Sequence, residues 1–215
     1  WEQTVGYQSA VWSAHWSPVL GWTGIGALPS FGTGSYSPRV AVDGAGNAIA
    51  VWSQADVMTM SVAASRYVLG EGWGPATVIE SEIGTAYDPQ IAVDASGRAI
   101  AIWVQEEVYL YRVFAARFEP ATGWQAPERL DSAGLNASGP RLSMTASGAA
   151  MAIWATPTDL VARRFDGGAW EPDARVDGLE GWIEAGSVSL DPSGSAIAVW
   201  SQFVGDAYRV FANHY

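Results

Sequence analysis

Apolar residues in this chain alternate in short runs, and the runs return at a fixed interval. In Ala48-Ile-Ala-Val-Trp52 the small residues and the tryptophan point one way, while Ile49 and Val51 point the other. Both faces are apolar, so such a strand has to be covered on both sides by neighbouring sheets. The run recurs at 99–103, 150–154 and 196–200. Its tryptophans, with Trp1, are spaced by 51, 51, 51 and 46 residues, and a second series, Trp22, Trp73, Trp124 and Trp170, follows at 51, 51 and 46. Self-similarity at about this period, with strand-like content, belongs to propellers and solenoids.

Each unit predicts four short strands. The first is of the type Arg39-Val-Ala-Val-Asp43, closed by an Asp-x-x-Gly turn whose carboxylate can bond its own backbone and whose glycine accepts a positive φ. The second is the alternating run ending in tryptophan. The third is Val62 to Tyr67, echoed by Val11–Trp16, Val113–Phe118, Val161–Phe165 and Val210–Tyr215, and the fourth opens on Gly72-Trp73 and runs through Thr77-Val-Ile79. No segment has a convincing helical period. The fold class predicted is all-β: a β-propeller, with four antiparallel strands per blade joined by tight hairpins, in preference to a stacked solenoid.

The strand count bears on closure. One propeller domain over 1–215 divides into units of about 1–37 (partial), 38–88, 89–139, 140–186 and 187–215 (partial). Four blades can be completed if the strand near Trp22–Leu28 supplies the one missing from the last unit, closing the ring through the chain ends. One strand is then left over, because Ala10–Trp16 and Val210–Tyr215 compete for one position. The chain is therefore a four-bladed ring with a displaced terminus, part of a larger propeller, or a molecule whose spare edge strand pairs with another copy.

Charge and composition narrow the partners. All 11 basic residues are arginine, against 22 acidic ones, for a formal net charge of −11. That argues against nucleic acid and anionic membranes. No run of about 18 apolar residues is present to insert into a bilayer. With no cysteine there is neither a disulfide framework nor a thiolate metal site, and the lone aspartates of the turns lack the clustered oxygens of a calcium loop. No cofactor is expected.

Candidate chemistry sits on one face. Antiparallel order places the Asp-x-x-Gly turns at one end of every blade, and at the other the variable loops Gln3–Tyr7, Gln54–Met60, Gln105–Tyr111 and Gln202–Tyr208, with Tyr36, Tyr87 and Trp182 beside them. Variable loops on a rigid scaffold are the usual place for binding. The candidate ligand-binding residues are Tyr36, Tyr87, Trp182, Gln54, Gln105, Gln202, Tyr109 and Tyr111; the glutamines recur two residues after each strand tryptophan, with Thr156 in the shortened unit. Most of the 12 tryptophans occupy periodic positions and read as packing between blades, whereas Trp182 has no periodic aromatic counterpart. His15, Arg66, Arg117, Arg164 and His214 share one position and read as partners of a neighbouring strand. There is no nucleophile–histidine–acid arrangement; the loop carboxylates Glu106, Glu107, Glu180 and Glu184 leave a hydrolase pair open.

The units Pro-x-x-Ala-x-Asp-x-x-Gly-x-Ala-x-Ala-x-Trp at 38–52 and 89–103 resemble the Trp-containing tandem repeats of bacterial secreted β-propellers. The resemblance implies the fold and a secreted, periplasmic or cell-surface location. Propellers host lectins, enzymes and scaffolds alike, so it implies no activity. The expectation is a non-catalytic scaffold that binds another protein, or itself, through the loop face or a spare edge strand. The alternative is a lectin with one glycan site per blade, and after it a glycan-acting hydrolase.

Overall fold

The computed structural model describes residues 1–6, 8–80, 84–132 and 134–215; Tyr7, at the end of the first variable loop, lies outside the described residues. The described residues form 20 strands in five antiparallel sheets and no helix. The first sheet contains β1 (Glu2–Val5), β2 (Gln8–Ser17) and β3 (Gly21–Ala27). The second contains β4 (Gly34–Val42), β5 (Ala48–Ala55), β6 (Met60–Val68), β7 (Gly72–Trp73) and β8 (Thr77–Val78); the third, β9 (Ala86–Val93), β10 (Ala99–Glu107), β11 (Leu110–Glu119), β12 (Gly123–Trp124) and β13 (Glu128–Arg129). The fourth contains β14 (Ser138–Met144), β15 (Ala150–Ala155), β16 (Leu160–Phe165) and β17 (Ala174–Arg175), and the fifth β18 (Ile183–Leu190), β19 (Ala196–Val204) and β20 (Ala207–His214). In blades 2 and 3 the fourth strand is broken into two short pieces, both paired to the third strand. No helix among the described residues is long and apolar enough to cross a membrane.

The all-β propeller is as the period predicts, but the sheets number five and the expected closure is absent. Trp22 and Ala27 pair with Trp16 and Trp12 of the same sheet, so β3 completes its own blade and does not join β20. Among the described residues no strand is surplus: β2 and β20 occupy the same position in two different sheets. Local hairpin pairing, with a short loop to close, prevails over a pairing that spans the chain.

Four apolar slabs hold the sheets together, each between consecutive blades. In one, Ile49, Val51, Val62 and Ala64 of blade 2 meet Ala99, Ala101, Trp103, Phe114 and Phe118 of blade 3. The tryptophan face of blade 3 is thus covered by the branched face of blade 2, and the same arrangement recurs for blades 4, 5 and 2 at the other three junctions. Trp52, Trp103 and Trp154 are almost wholly buried in these slabs. The outer faces of the arc stay open, with Ile197, Val199 and Val210 exposed on blade 5 and Trp1, Trp16 and Trp22 exposed on blade 1.

The repeated cation also crosses these junctions. The Arg66 guanidinium lies 5.7 Å from the Phe118 ring centre and Arg117 lies 5.7 Å from that of Phe165, while His15 stacks on Tyr67 at 6.3 Å. Each is a side chain of one blade laid over the aromatic of the next. At the turn end, Asp43, Asp94 and Asp191 accept backbone N–H groups two and four residues on, and Thr145 takes this place in blade 4 through its hydroxyl.

Candidate functional site

The innermost strand of each of blades 2 to 5 carries a one-residue bulge. Register slips between Tyr36 and Arg39, Tyr87 and Gln90, Ser138 and Arg141, and Ile183 and Ala185, in each case beside the tryptophan strand. At three of the four the extra residue sits in the left-handed region: Ser37 at φ 52°, Asp88 at 51° and Gly139 at 57°. The residue after it is proline, Pro38, Pro89 or Pro140, which lacks a ladder donor and fixes φ, so the irregularity is written into the repeat. Bulges re-aim side chains, and non-glycine residues at positive φ collect at functional sites.

Three carboxylates stand along this inner edge. Asp88 occupies the bulge of blade 3, where its Oδ1 accepts from the Gln90 side chain at 3.2 Å and its Oδ2 lies 3.5 Å from the Arg141 guanidinium of blade 4. Glu184 is the extra residue of the blade 5 bulge and is exposed. Glu2, on β1, accepts from the Ser37 N–H at 3.3 Å, above the bulge of blade 2. Among the described residues there is no cluster of histidine and acidic side chains suited to hold a metal ion.

Tyr87 adjoins the Asp88 bulge and packs edge-on against Tyr111, with ring centres 5.9 Å apart. Burial, and after it Tyr111 and the carboxylates of Asp88 and Glu106, pushes its phenol above the ordinary range, so it remains protonated as a donor. Tyr36 holds the corresponding place in blade 2, half-buried across Gly34. Tyr109 stands at the tip of the blade 3 hairpin and is exposed, as is Trp182 just before β18.

The three glutamines do not belong with these residues. Gln54, Gln105 and Gln202 are buried, and each accepts a hydrogen bond from the indole N–H two residues earlier, at 2.9, 2.9 and 3.0 Å. Gln54 donates to the carbonyls of Gly34 and Phe31, and Gln202 to those of Leu179 and Gly181. An amide with its donors and acceptors occupied inside the blade contacts no ligand, so their expected role is corrected to tying the incoming chain to the tryptophan strand. Of the loop carboxylates, Glu107 is 3.2 Å from Arg129. Asp88, Glu2 and Arg141 escaped the sequence argument. The signal for Asp88 was present in the Tyr-x-Pro step of Tyr36–Pro38 and Tyr87–Pro89, where a residue preceding proline interrupts an otherwise regular strand.

No family model matches the chain and no curated protein resembles it in sequence. Solved structures do share the fold. A thermostable family-43 glycoside hydrolase superposes with a TM-score of 0.53 at 13% identity, covering 96% of this chain and 81% of that one. An endo-arabinase from Bacteroides thetaiotaomicron gives 0.52 at 12%, covering 90% and 79%. An α-L-arabinofuranosidase from Fusarium graminearum in complex with an iminosugar inhibitor gives 0.56 at 12%, covering 84% of this chain and 61% of that one. The expectation of a non-catalytic scaffold, assembling through its loop face or a spare strand, is therefore withdrawn. The folds that match are those of glycoside hydrolases, and the chain has no spare strand among its described residues.

Proposed function

We propose that this propeller is a glycan-acting enzyme that hydrolyses glycosidic bonds at the inner edge of its loop face. The observation that carries this is the bulge at Asp88, where an acidic residue in a left-handed conformation is turned out of the ladder and steadied from two sides by Gln90 and Arg141. Glycoside hydrolysis needs two carboxyl groups flanking the scissile bond, one to protonate the leaving oxygen and one to act as base or nucleophile. Asp88, held by Gln90 and Arg141, and Glu184, the extra residue of the blade 5 bulge, are the two carboxyls proposed for this pair. The fold shared with glycoside hydrolases and the polar character of the inner edge support the same reading, as does the Tyr87 phenol, a neutral donor for a sugar hydroxyl.

The test is hydrolysis of aryl α-L-arabinofuranosides, β-xylosides and β-mannosides, together with linear arabinan, by the wild type and by Asp88→Asn and Glu184→Gln. Loss of a positioned acid or base costs roughly 10²–10⁴ in rate. Activity retained by both variants, or absent from the wild type on every substrate, would overturn the assignment. A polymeric substrate also implies a secreted, periplasmic or cell-surface protein, which fractionation of cells that express it would test.

A further inference from the structure

Each junction inside the arc has two halves, and one of each kind lies uncovered at its two ends. The first half is a branched face. In blade 2 it is built from Ile49, Val51 and Val62, and these and their counterparts in blades 3 and 4 are at most 3% exposed, because the tryptophan face of the following blade covers them. In blade 5 the same positions are Ile197, Val199 and Val210, exposed by 59, 40 and 81%. By strand alternation Trp182, Phe203 and Tyr208 share this outer face, opposite to Ile183, Trp200 and Phe211, which pack on blade 4.

The second half is a tryptophan face. Trp52, Trp103 and Trp154 are at most 1% exposed, whereas Trp1, their counterpart in blade 1, is 51% exposed, with Trp16 at 55% and Trp22 at 68% on the same face. The other face of blade 1 meets blade 2 through Val11 and Ser13. The repeated cation follows the same rule. His15, Arg66 and Arg117 lie over Tyr67, Phe118 and Phe165 of the next blade, and His214, paired with Ile197, holds this position on the outer face of blade 5. The matching aromatic position in blade 1 is Trp16, which pairs with Trp22 as Tyr67 does with Trp73 and Phe118 with Trp124.

Nothing within the molecule brings these halves together: among the described residues the four apolar slabs join blades 1 to 2, 2 to 3, 3 to 4 and 4 to 5. Close-packed interiors resist deformation, so bending the arc shut strains four junctions at once. Together the two open faces present on the order of 1,000 Å² of large apolar side chains, about what a specific interface needs.

We infer that the outer face of blade 5 docks on the tryptophan face of blade 1 in a second copy, joining molecules head to tail by a junction of the kind the chain forms four times within itself. His214 of one copy lies over the partner's Trp16. The contact is heterologous, so it closes a ring of copies or grows a filament. It uses neither the loop face nor a free strand edge, and it stands independently of the hydrolase assignment.

Light scattering and tryptophan fluorescence across about 1–100 μM protein provide the test. The wild-type mass rises with concentration from 22.8 kDa to at least twice that value, and the emission shifts to the blue as Trp1, Trp16 and Trp22 lose water. Val210→Glu spoils one face and Trp22→Glu the other; both positions are exposed, and circular dichroism establishes that each variant folds, with serine replacing glutamate if one does not. Each variant alone stays at 22.8 kDa. Their equimolar mixture gives a dimer and nothing larger, because only one intact pair of faces remains. A wild type that stays monomeric over the whole range would overturn the inference, and so would self-association of either variant alone, since like faces or another surface would then be meeting.

Discussion

Replacing Gln54 by leucine tests the claim that the recurring glutamines are structural. The side chain makes at least four hydrogen bonds: it accepts from Trp52 Nε1 at 2.9 Å and Ser35 Oγ at 2.9 Å, and donates to the carbonyl oxygens of Gly34, at 2.8 Å, and Phe31. Leucine matches its volume, so little cavity cost enters. What remains is a buried indole N–H, a buried hydroxyl and two carbonyls without their partner. Each stranded buried group costs about 1–3 kcal/mol. The simple sum exceeds what single substitutions commonly do, because the Ser35 hydroxyl can rotate and the 31–34 segment can shift toward water; about 4 kcal/mol is the expected loss. For a chain of 215 residues that lowers the melting temperature by roughly 8–16 °C. Urea denaturation followed by tryptophan fluorescence measures it. Gln54→Glu adds a control of opposite electrostatics: near pH 7 its carboxylate would face two carbonyl oxygens, so its stability improves as the pH falls and the group takes up a proton. A loss below about 1 kcal/mol in Gln54→Leu, or an unchanged melting temperature with altered glycan affinity, would refute the structural role.

Other expectations follow from the same geometry. Asp94 accepts four hydrogen bonds, from the N–H and hydroxyl of Ser96 and the N–H and guanidinium of Arg98, and Asp94→Ala should cost about 2–4 kcal/mol by denaturant titration, with Asp94→Thr milder because Thr145 fills this place in blade 4. Burial raises the Asp94 carboxyl, but the Ser96 and Arg98 bonds outweigh it and hold it below the ordinary 3.8, as similar bonds do for Asp43 and Asp191. Their contribution is present above the unfolded value and lost as the pH falls through the lowered folded values, so stability should drop below about pH 4, and less steeply in Asp94→Asn. Arg117→Met keeps the apolar stem but removes the charge over Phe165, the bond to the Gly168 carbonyl and the exposed pair with Glu128; a loss of about 1–2 kcal/mol, only the Glu128 part of it screened by salt, is expected from melting curves. Gly181→Ala places a methyl against the Phe203 carbonyl at a φ of 143° and should yield little folded protein, judged by soluble expression and circular dichroism.

Blade architecture was legible because it is local and repeated. The two-sided apolar run, the Asp-x-x-Gly turn and the paired tryptophans each state one hairpin's geometry, and repetition averages out the ambiguity of any single copy. The stacking of His15, Arg66 and Arg117 on the next blade was half legible, since a shared position showed that the cation had a partner but not which strand supplied it. Gln54 illustrates the limit. A polar residue recurring at the loop end of a strand reads equally as a ligand contact or as an anchor, and only its burial against Phe31 and Gly34, 23 and 20 residues away, decides between them. The Asp88 bulge was hidden for a related reason: a one-residue slip is invisible in spacing when every copy carries it.

By itself, then, the sequence determined the period, the four-strand unit, the turn chemistry and the two-faced tryptophan strand, because these depend on neighbours along the chain. Tertiary structure alone decided that Trp22 stays with its own sheet and makes five blades, that the glutamines face inward, and that Asp88, Glu184 and Glu2 share the inner edge. Those outcomes turn on which sheets meet and where register slips, and both are set by packing between residues far apart in the chain.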